Sequence, residues 1–350
     1  MDSRFVVLYI FCCYVRCTDD IGVVQTINYV GRTLPSSNQT MPQCSKKKST
    51  SSYILLPSHG MTSNITHPIT KTRYFTKDFS NNGTRTCYGR VAFVNNPLHT
   101  LSVLEPLEQD GCKNRKRATV VESSKQKSCF VAVNGGFYVP ETNECLGNIV
   151  SDGRLVKMTP GLRNVHFGIR QDGSLLFGYL STEEIENTRN PFVQLISGIG
   201  WLLRNGTVYL EESKRIECDS EWSAKEIFGS KSGRTVIGSD VDGRVVIVQV
   251  DGKTHVSGVT LKEMANFLIE LGLVNAINID GGGSSTCVIN GTVVNNPPDK
   301  CSDQQYNCIR PVSTIICAHA PRSLPSQCSH DSDHYIRDVR HCQGNNVWKP

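Results

Sequence analysis

Val274-Asn275-Ala276-Ile277-Asn278-Ile279 runs directly into Asp280-Gly281-Gly282-Gly283-Ser284-Ser285-Thr286, and Cys287-Val288-Ile289 follows before Asn290-Gly291. Both apolar runs have the length of strands, and Asn-Gly is a strong hairpin signal. A carboxylate therefore ends one strand, and three glycines and three hydroxyls lead into the next. Without Cβ atoms, the glycines let backbone N–H groups converge on an anion. The hydroxyls add donors, and an aspartate beside them can bind sugar hydroxyls or serve as acid, base or nucleophile. A tight turn with glycines for steric reasons is the competing reading. No Lys follows the glycines, so this is not a Walker loop. No helix opens at its end, so it is not the dinucleotide fingerprint.

Upstream, strands are expected at Tyr88–Val94 and Leu101–Leu104. Cys129-Phe130-Val131-Ala132-Val133 reads as a buried strand that delivers Asn134-Gly135-Gly136-Phe137-Tyr138, a second strand end with a polar residue and paired glycines. Asp152-Gly153, Asp172-Gly173, Asn205-Gly206 and Asp242-Gly243 sit between β-rich runs and favour type I′ turns. Thr182 to Asn187 is a short helix candidate. Thr260 to Leu271 is a better one, with Thr260 and Glu263 as a capping box and Gly272 at its end. Leu261, Met264, Ala265, Leu268 and Leu271 recur there at helical spacing. Val312 to His319 reads as a last strand. The expected fold is α/β in the mixed α+β sense: hairpin-rich mixed sheets with few helices in one catalytic domain.

The ends of the chain define its compartment. Arg4 and the apolar run Phe5–Val15 have the layout of a signal peptide over residues 1–17. Residues 18–87 read as a loose N-terminal segment, with Lys46-Lys47-Lys48 a candidate propeptide cleavage point. Residues 88–320 form the catalytic domain. Residues 321–350 are a polar tail whose Cys328 and Cys342 suggest a partial EGF-like module. Of fifteen cysteines, three lie in the signal region, and the remaining even set suits a disulfide framework. Cys301 and Cys308 are expected to close a small loop. Glycosylation signals stand at Asn38, Asn64, Asn82, Asn205 and Asn290. Together these point to an oxidising lumen. A net charge of +5 from dispersed basic residues excludes a nucleic-acid surface. No later run is long and apolar enough to span a membrane.

Three further groups could carry chemistry. Arg234 enters the strand Arg234-Thr235-Val236-Ile237-Gly238, and its planar fork suits a phosphate; a surface ion pair is the alternative. Glu144, beside Cys145, is a candidate second carboxylate to Asp280, or an ordinary surface acid. His166 reads as structural, and the histidines and cysteines have no metal-ligand spacing, so neither metal nor cofactor is expected.

Asn134–Tyr138, Glu144-Cys145-Leu146-Gly147-Asn148, Asn190-Pro191-Phe192-Val193-Gln194-Leu195, Arg234–Gly238 and Asn278–Thr286 stand in order along the chain. This set, spanning about Tyr88 to His319, resembles the phosphodiester glycosidase family. The resemblance implies an enzyme that removes N-acetylglucosamine from a GlcNAc-α-phospho-mannose diester on the high-mannose glycans of lysosomal hydrolases, exposing mannose 6-phosphate. It implies a site at the glycine-rich motifs. Asp280 would act on the sugar or its water, with Glu144 as the weaker second acid. Arg234 and the Gly281, Gly282, Gly283, Ser284 and Ser285 donors would hold the phosphate, and Asn134, Gly135, Gly136 and Phe137 would position the substrate. In vertebrate members the pattern continues into EGF-like repeats, a membrane helix and a sorting tail, whereas this sequence stops at Pro350. The expected location is the Golgi lumen or outside the cell, with self-association left open. A glycan-binding protein without turnover, or a phosphodiesterase cutting P–O, are the alternatives.

Overall fold

The computed structural model describes residues 51–58, 69–80, 84–218, 225–302 and 307–321. The signal region, the Lys46–Lys48 stretch, the partial EGF-like tail and the sites Asn38, Asn64 and Asn82 lie outside them.

Almost all described strands belong to three sheets, and every ladder within them is antiparallel. The α+β half of the expectation is therefore the apt one. In the seven-stranded sheet, Leu273–Asn278 pairs with Trp201–Arg204 on one side and Arg234–Asp240 on the other. In the five-stranded sheet, Val131–Asn134 lies between Cys287–Ile289 and Ile315–Ala318. In the six-stranded sheet, His166–Arg170 and Phe192–Ser197 are central. Strands buried on both faces explain the apolar runs without alternation: Val131–Asn134, Val245–Val250 and Ile315–Ala318 are buried at every position. The main core, with Trp201, Phe167, Phe177, Val133, Ile277 and Ile316 in it, draws on all three sheets.

The helix Leu261–Glu270 forms as its spacing predicts. Both halves of the Thr260/Glu263 capping box are made, and Leu261, Met264, Ala265 and Leu268 are buried against the seven-stranded sheet. Gly272 follows at φ +85°, a conformation that favours glycine. Leu210–Glu217 is a helix that the hairpin rhythm did not announce.

The segment read as loose before Tyr88 contributes two edge strands. Ser52–Leu56 pairs with Leu175–Tyr179, and Ile69–Asp78 pairs with Thr86–Val94. The turns also divide into two kinds. Asp152-Gly153, Asn205-Gly206 and Asn290-Gly291 have positive φ at both residues, as a type I′ turn demands. At Asp172-Gly173 and Asp242-Gly243 only the glycine does. There an aspartate carboxylate folds back on its own turn: Asp172 accepts from Ser174 N–H, and Asp240 accepts from Asp242 and Arg244 N–H.

Cys301–Cys308 forms as expected, Cys112–Cys145 ties the basic loop to the Glu144 loop, and Cys129–Cys317 joins the residues leading into Val131–Asn134 to its neighbouring strand Ile315–Ala318. Cys87 is also disulfide-bonded. The pairing is not complete, however: among the described residues Cys287 remains a thiol. Cys287 faces inward from its strand, and burial raises its thiol pKa to about 12. Among the described residues no helix is long and apolar enough to cross a membrane.

Candidate active site

The chain changes sheets at Asp280. Ile279 N–H donates to Thr235 O in the seven-stranded sheet; the next donor, Asp280 N–H, reaches Gly135 O at the end of the five-stranded sheet. Two consecutive bonds to different sheets fix the direction of this backbone. Gly281 then passes under Gly233, whose carbonyl oxygen would sit 2.6 Å from an added Cβ. Gly282 turns with φ +56°, and Gly282–Ser284 makes a single 3₁₀ turn. Glycine at 281 is thus required by a close backbone approach, and at 282 by a left-handed turn.

This turn folds back onto its own carboxylate. Gly281 N–H donates to Asp280 Oδ1 at 2.8 Å, and the Ser284 side chain adds a hydrogen bond. Desolvation by the surrounding protein outweighs both, and the nearby Arg310 charge as well, and raises the Asp280 pKa to about 6. Ser285 Oγ and Thr286 Oγ1 are buried hydroxyls without a partner among the described residues.

Asn134 is fully buried, and both ends of its amide are engaged. Its Nδ2 donates to Asp280 O at 2.5 Å; its Oδ1 accepts from Thr235 Oγ1 at 2.7 Å and from Thr286 N–H at 3.2 Å. The expected contact of Asn134 with sugar or phosphate therefore gives way to a positioning role: it ties both ends of the glycine turn to two strands. Gly135 and Gly136 donate their N–H groups to Thr314 O and Thr314 Oγ1. A Cβ at Gly135 would lie 2.5 Å from that hydroxyl, so packing against Thr314 accounts for this glycine. Phe137 is half-buried beyond them.

Arg234 is only 6% exposed. Its Nε donates to Val259 O, and its Nη2 donates to both Ile227 O and Ser230 O. Either bidentate edge of a guanidinium needs Nη2, so the phosphate fork expected of Arg234 is already occupied by carbonyls. Burial lowers its pKa to about 10, which leaves it charged at neutral pH. Glu144 lies on a partly exposed loop and pairs with Lys157 at 2.5 Å. The hydrogen bond from Lys157 holds its carboxyl below the ordinary glutamate range, the wrong direction for a general acid. His166 is fully buried between Asn148 Nδ2 and Gly178 O, and burial lowers its pKa to about 4, consistent with a structural residue. Asn205 and Asn290 sit exposed at hairpin tips, open to modification.

The sequence reading missed Arg310. It lies two residues beyond Cys308 and grips Asp299 through Nε and Nη2 at 2.6 and 2.9 Å. Its guanidinium lies across Gly283, where any Cβ would overlap it. No periodicity or motif marks a lone Arg after a short cysteine loop.

The N–H groups of the turn are largely engaged inside the protein: besides Gly281 on Asp280, Gly282 donates to Gly233 O, Ser284 to Gly281 O and Ser285 to Gly282 O, so the expected Gly281–Ser285 phosphate donors are mostly occupied. A carboxylate with a raised pKa, the Ser285 hydroxyl and a guanidinium across the turn form a site suited to the ester of a sugar and an acid. The chain belongs to the phosphodiester glycosidase family, whose model matches residues 127–319. It is 49% identical over 244 residues to the Bos taurus protein named N-acetylglucosamine-1-phosphodiester alpha-N-acetylglucosaminidase, an alignment covering 69% of this chain and 46% of that protein. For the Homo sapiens protein of the same name the identity is 49% over 247 residues, covering 70% and 48%. The chain spans about half the length of the curated relatives it matches. A solved structure described as the zebrafish N-acetylglucosamine-1-phosphodiester alpha-N-acetylglucosaminidase catalytic domain, auto-inhibited by pro-peptide, superposes with TM-score 0.73 at 39% identity. That match covers 76% of this chain and 88% of the other.

Proposed function

We propose that this chain hydrolyses GlcNAc-α-phospho-mannose diesters on the phosphorylated high-mannose glycans of lysosomal hydrolases, releasing GlcNAc and exposing mannose 6-phosphate. The names of its relatives support the substrate class. The observation that carries the chemistry is Asp280, a carboxylate with a pKa of about 6 set among donors at the junction of two sheets.

Water adds at the anomeric carbon of GlcNAc, the bond from that carbon to the phosphate oxygen breaks, and the electron pair leaves on the phosphate. A phosphate monoester is stable as an anion, so the leaving group needs little protonation. What the site must supply is support for an oxocarbenium-like sugar and for the departing charge. Asp280, ionised above its pKa, serves the sugar or its attacking water. Asn134 fixes the backbone from which it projects, and the Ser285 hydroxyl is the donor of the turn left for the substrate. Turnover should therefore rise with pH through about 6, as Asp280 loses its proton. Disulfides and glycosylation signals at exposed hairpins favour a site of action in the secretory lumen, in the Golgi or outside the cell.

The test is GlcNAc release from the diester by secreted, purified protein in isotopically labelled water. The label is expected on GlcNAc, since attack is at the sugar carbon. Label on mannose 6-phosphate would mean cleavage at phosphorus. Binding of the diester without any GlcNAc release would leave a glycan-binding protein.

A further inference from the structure

The hairpin Asp299–Lys300 with Asn307–Cys308 is closed by Cys301–Cys308. It presents Asp299 and, just past its second strand, Arg310. The pair is a fork on a fork, two parallel N–H···O bonds to the two oxygens of one carboxylate. An arginine recognises a phosphate with this same geometry. Unlike Arg234, the pair is open to solvent: the side chains of Arg310 and Asp299 are 39% and 34% exposed.

Its placement is as specific as its geometry. An added Cβ on Gly283 would overlap Cζ and Nη2 of Arg310 and lie 2.6 Å from Asp299 Oδ1. The guanidinium thus rests on the backbone between Asp280 and Ser284, and the Asp280 and Arg310 charges act on each other. Gly283 is the one glycine of the turn whose missing side chain makes room for a cation. Gly281 and Gly282 make room for Gly233 and Thr254.

We propose that Arg310 is the residue that touches the substrate's phosphate, and that Asp299 is the counter-ion holding its fork in place until the phosphate takes over. The proposal rests on the diester reading above. Arg310 on the phosphate side and Asp280 on the sugar side would bracket the bond that breaks. Arg234 is left as the internal clamp that holds its neighbouring loops.

The experiment uses the secreted protein and four variants: R310K, R310A, G283A and D299N. Kinetics on the GlcNAc-phospho-mannose diester are combined with inhibition by mannose 6-phosphate and, separately, by GlcNAc. R310K keeps the charge and loses the fork, so the inhibition constant for mannose 6-phosphate should weaken by on the order of tenfold or more, with GlcNAc inhibition unchanged. G283A pushes the fork aside without altering any charge and should shift the phosphate constant in the same direction. D299N removes the competing carboxylate and should tighten mannose 6-phosphate. A folded R310K whose phosphate inhibition equals wild type would overturn the proposal, as would weaker phosphate binding in D299N. Should R310A fail to be secreted, R310K and G283A carry the test. Wild-type protein that releases no GlcNAc would count against the diester reading itself; active wild-type protein with an indifferent R310K counts against Arg310 alone.

Discussion

At the residue scale, Asp280 trades stability for reactivity. Its pKa rises from an ordinary 3.8 to about 6, so the folded state prefers the neutral form. That preference stabilises the fold fully below the unfolded pKa and is lost as pH rises through about 6. Asp280→Asn should therefore abolish most turnover and, at neutral pH, raise the melting temperature, with the gain vanishing below about pH 4. A variant that is both inactive and less stable at neutral pH would contradict this account. Arg234 behaves in the opposite way. Arg234→Ala removes three hydrogen bonds from a charged donor, to the carbonyls of Val259, Ile227 and Ser230, each worth roughly 1.5–3 kcal/mol, although Val259 O keeps Ser232 N–H. Thermal denaturation should show a large loss of stability; full stability with lost phosphate affinity would restore Arg234 to the substrate. Glu144→Gln removes one partly exposed ion pair, worth about 0–1 kcal/mol, and turnover should persist in a direct assay.

The residues that sequence alone revealed and those it did not differ in how far their partners lie along the chain. Asp280 was legible because a carboxylate between a buried strand and three glycines is unusual by itself. Asn134 was legible as special, but its partners Thr235, Asp280 and Thr286 come from distant segments, so its role was not. Arg234 misled for the same reason: the loops whose carbonyls it holds, at 227–230 and 259, leave no mark on the strand that carries it. Arg310 left no signal, because its meaning depends on Gly283 lying beneath it.

At the element scale, local rules worked where the interaction was local. The Thr260/Glu263 box, the Gly272 stop and the Asn-Gly turns need only a few consecutive residues, and each formed. The two Asp-Gly turns that departed from type I′ did so because a carboxylate within the same turn captured backbone N–H groups. The edge strand Ser52–Leu56 was missed because its partner, Leu175–Tyr179, lies far downstream, and Ile69–Asp78 because Thr, Lys and Arg fill most of its positions and leave no apolar period, although its partner Thr86–Val94 is the next strand along the chain. Leu261–Glu270 offers a clean test of the local rule. Thr260→Ala leaves the Glu263 N–H without its hydroxyl acceptor and should cost about 0.5–2 kcal/mol, read as a lower midpoint in denaturant with unchanged slope. A changed slope would mean that the cap also shapes the unfolded chain or the cooperativity.

At the scale of the whole molecule, the buried titrating groups set where the fold is most stable. Glu217 lies inside, accepting from Tyr179 Oη, Ser213 Oγ and Gly200 N–H, yet desolvation prevails and raises its pKa to about 7. Its stabilising contribution is complete below the glutamate value of 4.5 and is lost as pH rises through about 7. Asp280 has the same sign, complete below 3.8 and lost through about 6. His166 opposes them: its pKa falls from 6.5 to about 4, so its contribution is complete above 6.5 and is lost as pH falls through about 4. Two groups take up protons on folding across the weakly acidic range and one refuses, so folded protein binds more protons than unfolded near pH 6. Stability should then rise as pH falls from neutrality into the weakly acidic range. Further acidification should reverse this as the carboxylates paired with cations, such as Glu263 with Arg85 and Asp152 with Lys127, lose their charge. Melting temperatures measured across this range should peak below neutrality. Glu217→Gln should flatten the rise between pH 7 and the peak, since it removes the group with the highest pKa of the three. A maximum at or above neutral pH, or a Glu217→Gln profile parallel to wild type, would show that the interior carboxylates stay charged in the fold and that the three donors around Glu217 hold an ion rather than an acid.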